Sequence, residues 1–339
     1  MHLKHLAFAC CILSLAFGIL AGLHRAGLST SVPPTVVHLH GAWMLAGVFI
    51  PLITLERVAA LQWRPAYLFP LFAMLGNFLL AMGHTPIAQI AYNVCGLGLV
   101  VLATAIVQRQ PSASSLCGLA GALLAFTGVL TWSLGAPIYG CIHLWCNFLL
   151  FTILGERLEF SRWTRGQPGR DPILALGLTL SLFTQTVGVA WMLLCLWLLN
   201  YDVARRTLKG PPLTRRIAQV LLVGYLWLGV AGLILALGPH YSWPGFYDAW
   251  LHTFFLGFIG SMVMGHAPMV FPSLMGLPIG CLSIPILPVV FLHLSLMARL
   301  VADSGWLQYR HWAALGNAVA LAAFAAYQLV SILQTRRKT

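Results

Sequence analysis

The sequence predicts an all-α, polytopic helical bundle embedded in a membrane, with about a dozen transmembrane helices. Two observations lead there. The 339 residues are 60% hydrophobic and only 8% charged, whereas a soluble domain carries about a quarter charged residues to solvate its surface. The apolar residues also come in successive continuous runs near the ~20 residues that a bilayer requires, divided by short loops rich in Pro, Gly and Arg. Continuity, in place of alternation, favours helices over a β-barrel. The lipid bilayer is therefore the first partner expected.

Apolar segments fall at about 5–23, 36–55, 65–83, 86–107, 114–134 and 137–158, and again at about 215–237, 247–266, 279–300 and 311–333. The first has a basic leading region like a signal peptide, but no small-residue cleavage motif follows, so it reads as a transmembrane helix. Between the two groups lies Pro172–Leu199, whose 28 residues are long for one crossing of a ~30 Å hydrocarbon core and short for two. Loop charge arbitrates, because short cytoplasmic loops hold the excess of Arg and Lys. With the N-terminus inside, the inner loops carry Arg57 and Arg64, then Arg109, then Arg157, Arg162, Arg165 and Arg170. A single crossing by 172–199 would put Arg205, Arg206, Lys209, Arg215 and Arg216 outside. Two short crossings broken near Thr186–Gly188 keep them inside, together with the Arg336, Arg337, Lys338 tail. The expectation is twelve helices with both termini cytoplasmic.

The net charge of +12 sits mostly in these loops and at the C-terminus, which is what orientation demands, so no nucleic-acid partner is expected. The eight cysteines include no CxxC pair and fall mostly within apolar runs as small packing residues. Ile53, Glu56, Arg57 and Trp63 recur one hundred residues later as Ile153, Glu156, Arg157 and Trp163. This spacing is compatible with three four-helix repeats at about 1–110, 111–210 and 211–339, and the helix-end Glu–Arg pairs read as interfacial anchors and ion pairs.

The twelve histidines are the most informative residues. On this topology His24, His38, His40, His84, His143, His240, His252, His293 and His311 all fall in outer loops or outer helix halves, and only His2, His5 and His266 on the inner side. Imidazole in a membrane span is costly unless paired or coordinating, and it is the common protein ligand of haem, copper, iron and zinc. His38 and His40, in VVHLHGAWM, cannot share one helical face and suit two different directions. With His143, His252 and His293 they form a candidate layer of cofactor ligands, and His266 is an inner metal-site candidate. His84, His240 and His311 read as hydrated interfacial residues, and Met262, Met264 and Met269 as packing residues. The seven carboxylates form no buried chain, which disfavours an acidic proton relay or a hard-cation cage. No P-loop, nucleotide fingerprint or Ser/His/Asp order is present.

From Trp250 the chain reads WLHTFFLGFIGSMVMGHAP and later FLHLSLMARLVADSGW. This resembles the NnrS-like family of bacterial membrane proteins, with His252 and His266 at the two histidines of its pattern; GHAP stands here in place of GHTGR. The resemblance implies a haem- and copper-containing membrane protein connected with nitric oxide. A weaker likeness is to the catalytic subunit of haem-copper oxidases and nitric oxide reductases, in which the second, sixth and tenth helices carry ligands; the corresponding segments here hold His38 and His40, His143, and His252. No vicinal histidine pair or HxxxY motif accompanies them. Trp43, Trp145 and Phe255 would pack a macrocycle and exclude water. A haem-copper oxidoreductase handling nitric oxide and a transporter or metal-delivery protein passing metal toward His266 both accommodate these histidines.

Overall fold

The computed structural model describes residues 2–161, 166–238, 244–275 and 282–338; Arg162, Arg165 and His240 lie outside the described residues. The described chain is helical, and it divides into two compact units, Met1–Glu159 and Phe160–Thr339. Ten helices among the described residues are long and apolar enough to cross a membrane. Large apolar side chains such as Phe78, Ile90, Leu226, Leu287 and Val301 face outward, while Ser14, Asn77, Asn147 and Asp202 are buried. Such a surface is stable against lipid and not against water. The molecule is a multi-pass membrane protein.

In unit 1, α1 (His2–Arg25) is followed by α2 (Pro34–His38) and α3 (His40–Met44), which meet at Leu39 with φ −98° and ψ 24°. A π-helical turn, Leu45–Phe49, joins α3 to α4 (Ile50–Leu61). Then come α5 (Leu68–Ala81), α6 (Thr85–Arg109), α7 (Ala113–Ser133) and α8 (Ile138–Phe160). The π turn is held by the buried Asn77 of α5. Its Nδ2 donates to Gly47 O (2.9 Å) and to Ser14 Oγ of α1 (2.7 Å), and Tyr92 of α6 donates to its Oδ1 (2.7 Å). One amide thus satisfies the backbone oxygen of an irregular turn and ties four elements together, which a buried polar group in lipid must do to be tolerated.

In unit 2 the Pro172–Leu199 run is two helices, α9 (Arg170–Ser181) and α10 (Val187–Tyr201), as the loop charges required; the break lies at 182–186, slightly before the expected Thr186–Gly188, and Gly188 is already inside α10. They form an antiparallel hairpin. Trp197 Nε1 donates to Arg170 O (2.9 Å) and Tyr201 OH to Pro168 O (2.8 Å) at its open end, where Ser161 also donates to Asp202 (2.9 Å). The basic segments on either side of the hairpin therefore share one end. At ~18 and ~22 Å, both helices are shorter than the hydrocarbon core. Beyond a short α11 (Ala204–Thr207) lie α12 (Pro212–Leu237), α13 (Phe246–His252), a second π segment (Thr253–Ile259), α14 (Gly260–Met275), α15 (Ile286–Gly305) and α16 (Arg310–Lys338).

The closed tip of the hairpin rests on α12 through glycine. A Cβ added at Gly188 would lie 2.7 Å from Gly232 O and 2.6 Å from Ala236 N, and backbone cannot yield as a flexible side chain can. Small residues let transmembrane helices approach closely and so gain packing energy. Gly188→Ala should lower the thermal unfolding midpoint of the detergent-solubilised protein, at a cost of about 1–3 kcal/mol. Gly118→Ala, where a Cβ meets nothing within 4 Å, should leave the midpoint unchanged or raised.

Candidate functional site

A polar constellation forms where the start of α13, the end of α15 and the start of α16 meet. Gly245 sets the approach: its amide donates to Asp303 O (3.0 Å), and a Cβ there would fall 2.6 Å from the Asp303 side chain. Only glycine brings the start of α13 this close to the end of α15. Three residues on, Asp248 meets Arg299 of α15, whose side chain is 8% exposed. The contact is bidentate, Nε to Oδ2 at 2.8 Å and Nη2 to Oδ1 at 3.0 Å, the geometry in which a guanidinium and a carboxylate interact most strongly. Arg310 pairs with the fully buried Asp303 and lies 4.0 Å from Asp248. Two carboxylates are balanced by two guanidiniums, as a low-dielectric setting requires.

His252, one helical turn after Asp248, completes the cluster, and its partners define its form. Nδ1 lies 3.0 Å from Asp248 O and 3.1 Å from Asp248 Oδ1. Both atoms only accept, so Nδ1 carries the hydrogen. Nε2 lies 3.3 Å from Arg299 Nη2, which only donates, so Nε2 offers its lone pair. A histidine whose Nδ1–H is held by a carboxylate or carbonyl, with Nε2 unprotonated, is the form that ligates metals.

The other predicted residues separate on the same test. His266 on α14 has Nδ1 2.6 Å from Met262 O, so it too presents an Nε2 lone pair, but it lies fourteen residues, roughly 20 Å, further along the helix. His293 on α15 has the opposite form. Trp227 Nε1 donates to its Nδ1 (3.0 Å) with the rings stacked at 6.2 Å, so its Nε2 bears the hydrogen and is no ligand in this arrangement. In unit 1, His38 is exposed at the end of α2, and His40 packs against Gly22 of α1, where a Cβ would approach its Cε1 to 3.1 Å. His143 is partly buried on α8. Among the described residues no three His, Cys, Asp or Glu side chains come together closely enough to hold a metal ion. Met262 and Met264 are 2% exposed, Met264 within an apolar cluster with Val220, Ile284 and Phe324, so they are packing residues.

Arg299, Asp248 and Asp303 did not stand out as site residues in the sequence, although a signal existed. Arg299 interrupts the apolar run FLHLSLMARL, where a cation needs a partner, and Asp248 precedes His252 at helical spacing. In unit 1 the repeated Glu–Arg motifs meet: Arg57 donates to Glu156 at 3.1 Å beside a polar cavity of about 160 Å³ that also includes Glu159, Gln110 and Thr152. Arg57 and Glu156 are thus ion-paired near helix ends, as their positions suggested.

Fold and site together define a helical multi-pass membrane protein with a charge-balanced, histidine-bearing cluster at the ends of three spanning helices. The model of a family described as a domain of unknown function, DUF8744, matches residues 4–333, and the chain belongs to that family. No curated protein and no solved structure matches it.

Removing one partner from a buried ion pair leaves an uncompensated charge. Arg299→Met should therefore destabilise the protein by about 3–5 kcal/mol, and the double variant Asp248→Asn/Arg299→Met by less than the single one. Chemical unfolding of the purified variants measures both.

Proposed function

We propose that the chain is a membrane haem protein in which His252 supplies an axial imidazole, working on a small gaseous ligand such as nitric oxide. The observation that carries this reading is the tautomer of His252, held through Nδ1 by Asp248 and its own helix; its Nε2 lone pair accepts from Arg299 here and would reach iron once Arg299 turned to Asp248 alone. Donor count separates haem from a copper ion caged by protein alone. A porphyrin brings its own equatorial nitrogens and needs one or two side chains, whereas a protein-only centre needs three or four, and the described residues gather no such set. The resemblance around His252 and His266 to the NnrS-like family supports the same reading. His38, His40 and His143 are proposed as imidazole donors of unit 1 alone, each able to serve a group that brings its own further ligands.

Within this reading Asp248 fixes the ring orientation and raises the basicity of Nε2, and Arg299 fixes Asp248. Aromatic neighbours, including the stacked pair Trp191 and Phe254 at 4.5 Å, would keep water from the site. Bound haem would offer an open coordination position to the gas. The proposal places both termini inside on the strength of the loop charges, and takes the bacterial cytoplasmic (inner) membrane from the resemblance to the NnrS-like family.

A transporter is the second reading, favoured by the interrupted hairpin α9–α10, since broken helices line transport sites. An optical spectrum of the detergent-purified protein separates the two. A Soret band is expected, lost in His252→Ala, retained in His293→Ala, and weakened about 10–100-fold in haem retention by Asp248→Asn. A protein with no Soret band, or one whose band survives His252→Ala, contradicts the haem reading.

A further inference from the structure

The open end of the α9–α10 hairpin holds a basic cavity that the proposed function does not use. It has a volume of about 480 Å³ and is lined by Asn200, Asp202, Arg205, Arg206 and Lys209. Its floor is a fixed structure. Asp202 is 1% exposed, and its carboxylate accepts from Ser161 Oγ (2.9 Å), Tyr225 OH (3.1 Å) and the Ala204 amide (2.8 Å), so both oxygens are engaged by the protein. The three cations are different. Arg205, Arg206 and Lys209 are exposed, and among the described residues none of their side chains has a hydrogen-bond or ion-pair partner. Three cations over one spoken-for carboxylate leave a concave site of net charge +2. By contrast, Arg215 donates to Gly210 O (3.3 Å) and Arg216 to Ile284 O (3.5 Å), and neither lines the cavity.

The cavity's rim indicates what fills it. Asp202 at the floor is tied to α12 through Tyr225. Asn200 at the rim continues a stripe on α10 that includes Leu196, 53% exposed, and Val189, 45% exposed. These residues lie four and eleven positions before Asn200, on one helical face. A cationic pocket that opens onto an exposed apolar helix face matches a phosphate on an acyl chain. Basic pockets among membrane helices recognise anionic headgroups in this way.

We propose that this cavity is a binding site for the phosphate of an anionic phospholipid, with Arg205, Arg206 and Lys209 as its ligands and the apolar stripe of α10 as the track of an acyl chain. A free phosphate would use the same cations without the stripe, so the two sources can be told apart.

The full chain in detergent is titrated with phosphatidylglycerol, phosphatidylcholine or inorganic phosphate while the thermal unfolding midpoint is followed. Phosphatidylglycerol should raise the midpoint saturably and phosphatidylcholine should not. Half-saturation should weaken about fivefold in each of Arg205→Gln, Arg206→Gln and Lys209→Gln, and about a hundredfold in the triple variant. Arg215→Gln/Arg216→Gln should keep the wild-type value. The single variants alter exposed side chains and keep the test decisive should the triple variant not fold. An equal shift with inorganic phosphate, lost in the same variants, would keep the phosphate site and overturn the lipid as its source. No shift with either ligand, an unchanged half-saturation in the cavity variants, or an equal loss in Arg215→Gln/Arg216→Gln would overturn the proposal.

Discussion

Two guanidiniums, two carboxylates and one imidazole hold one another where α13, α15 and α16 meet, and the chemistry available to His252 follows from that contact. Arg299 reaches Asp248 through both its Nε and Nη2, and the same Nη2 approaches His252. The pairing fixes which ring nitrogen carries hydrogen. Such a cluster is a poor source of stability, since desolvating ions costs about as much as their attraction returns, and an apolar packing of equal volume would often be as stable. Its effect is specificity. It admits one register between α13 and α15 and one orientation of the imidazole.

The surrounding helices provide the room for it. Directly after His252 the helix widens into a π segment, and in unit 1 a π turn begins five residues after His40. Each irregular stretch has a carbonyl taken up by a buried polar side chain, Gly47 O by Asn77 and Gly257 O by Ser261. Gly257 also lets Trp227 lie against the π segment, since a Cβ there would come within 2.6 Å of the indole. Trp227 in turn sets the form of His293. π segments cost regular hydrogen bonding and recur at functional sites. Here both lie in spanning helices that carry a candidate histidine.

Much of the architecture was legible in the sequence because lipid imposes a simple rule on spanning segments. The apolar runs correspond to the ten long helices, and loop charge required the break that separates α9 from α10. The length of that hairpin was harder to read, since hydropathy does not say how far a helix of twelve residues reaches. The repeat of Glu56–Arg57 as Glu156–Arg157 foreshadowed ion pairs, and Arg57 indeed meets Glu156. The histidines were found by residue type, but sequence could not rank them. His252 and His293 look alike in an apolar run, and what divides them is a carboxylate four residues away in one case and an indole sixty-six residues away in the other. Contacts across such distances, like that of Arg299 with Asp248, follow from packing and leave no local pattern.

The central claim is that His252 carries a hydrogen on Nδ1, held by the Asp248 carboxylate and carbonyl, and turns Nε2 toward Arg299. Nitrogen-15 NMR of the imidazole in histidine-labelled protein, assigned by comparison with His252→Ala, measures this directly. The account predicts a pyrrole-like Nδ1 and a pyridine-like Nε2 that accepts from Arg299 in the protein free of cofactor. A hydrogen on Nε2 would contradict it.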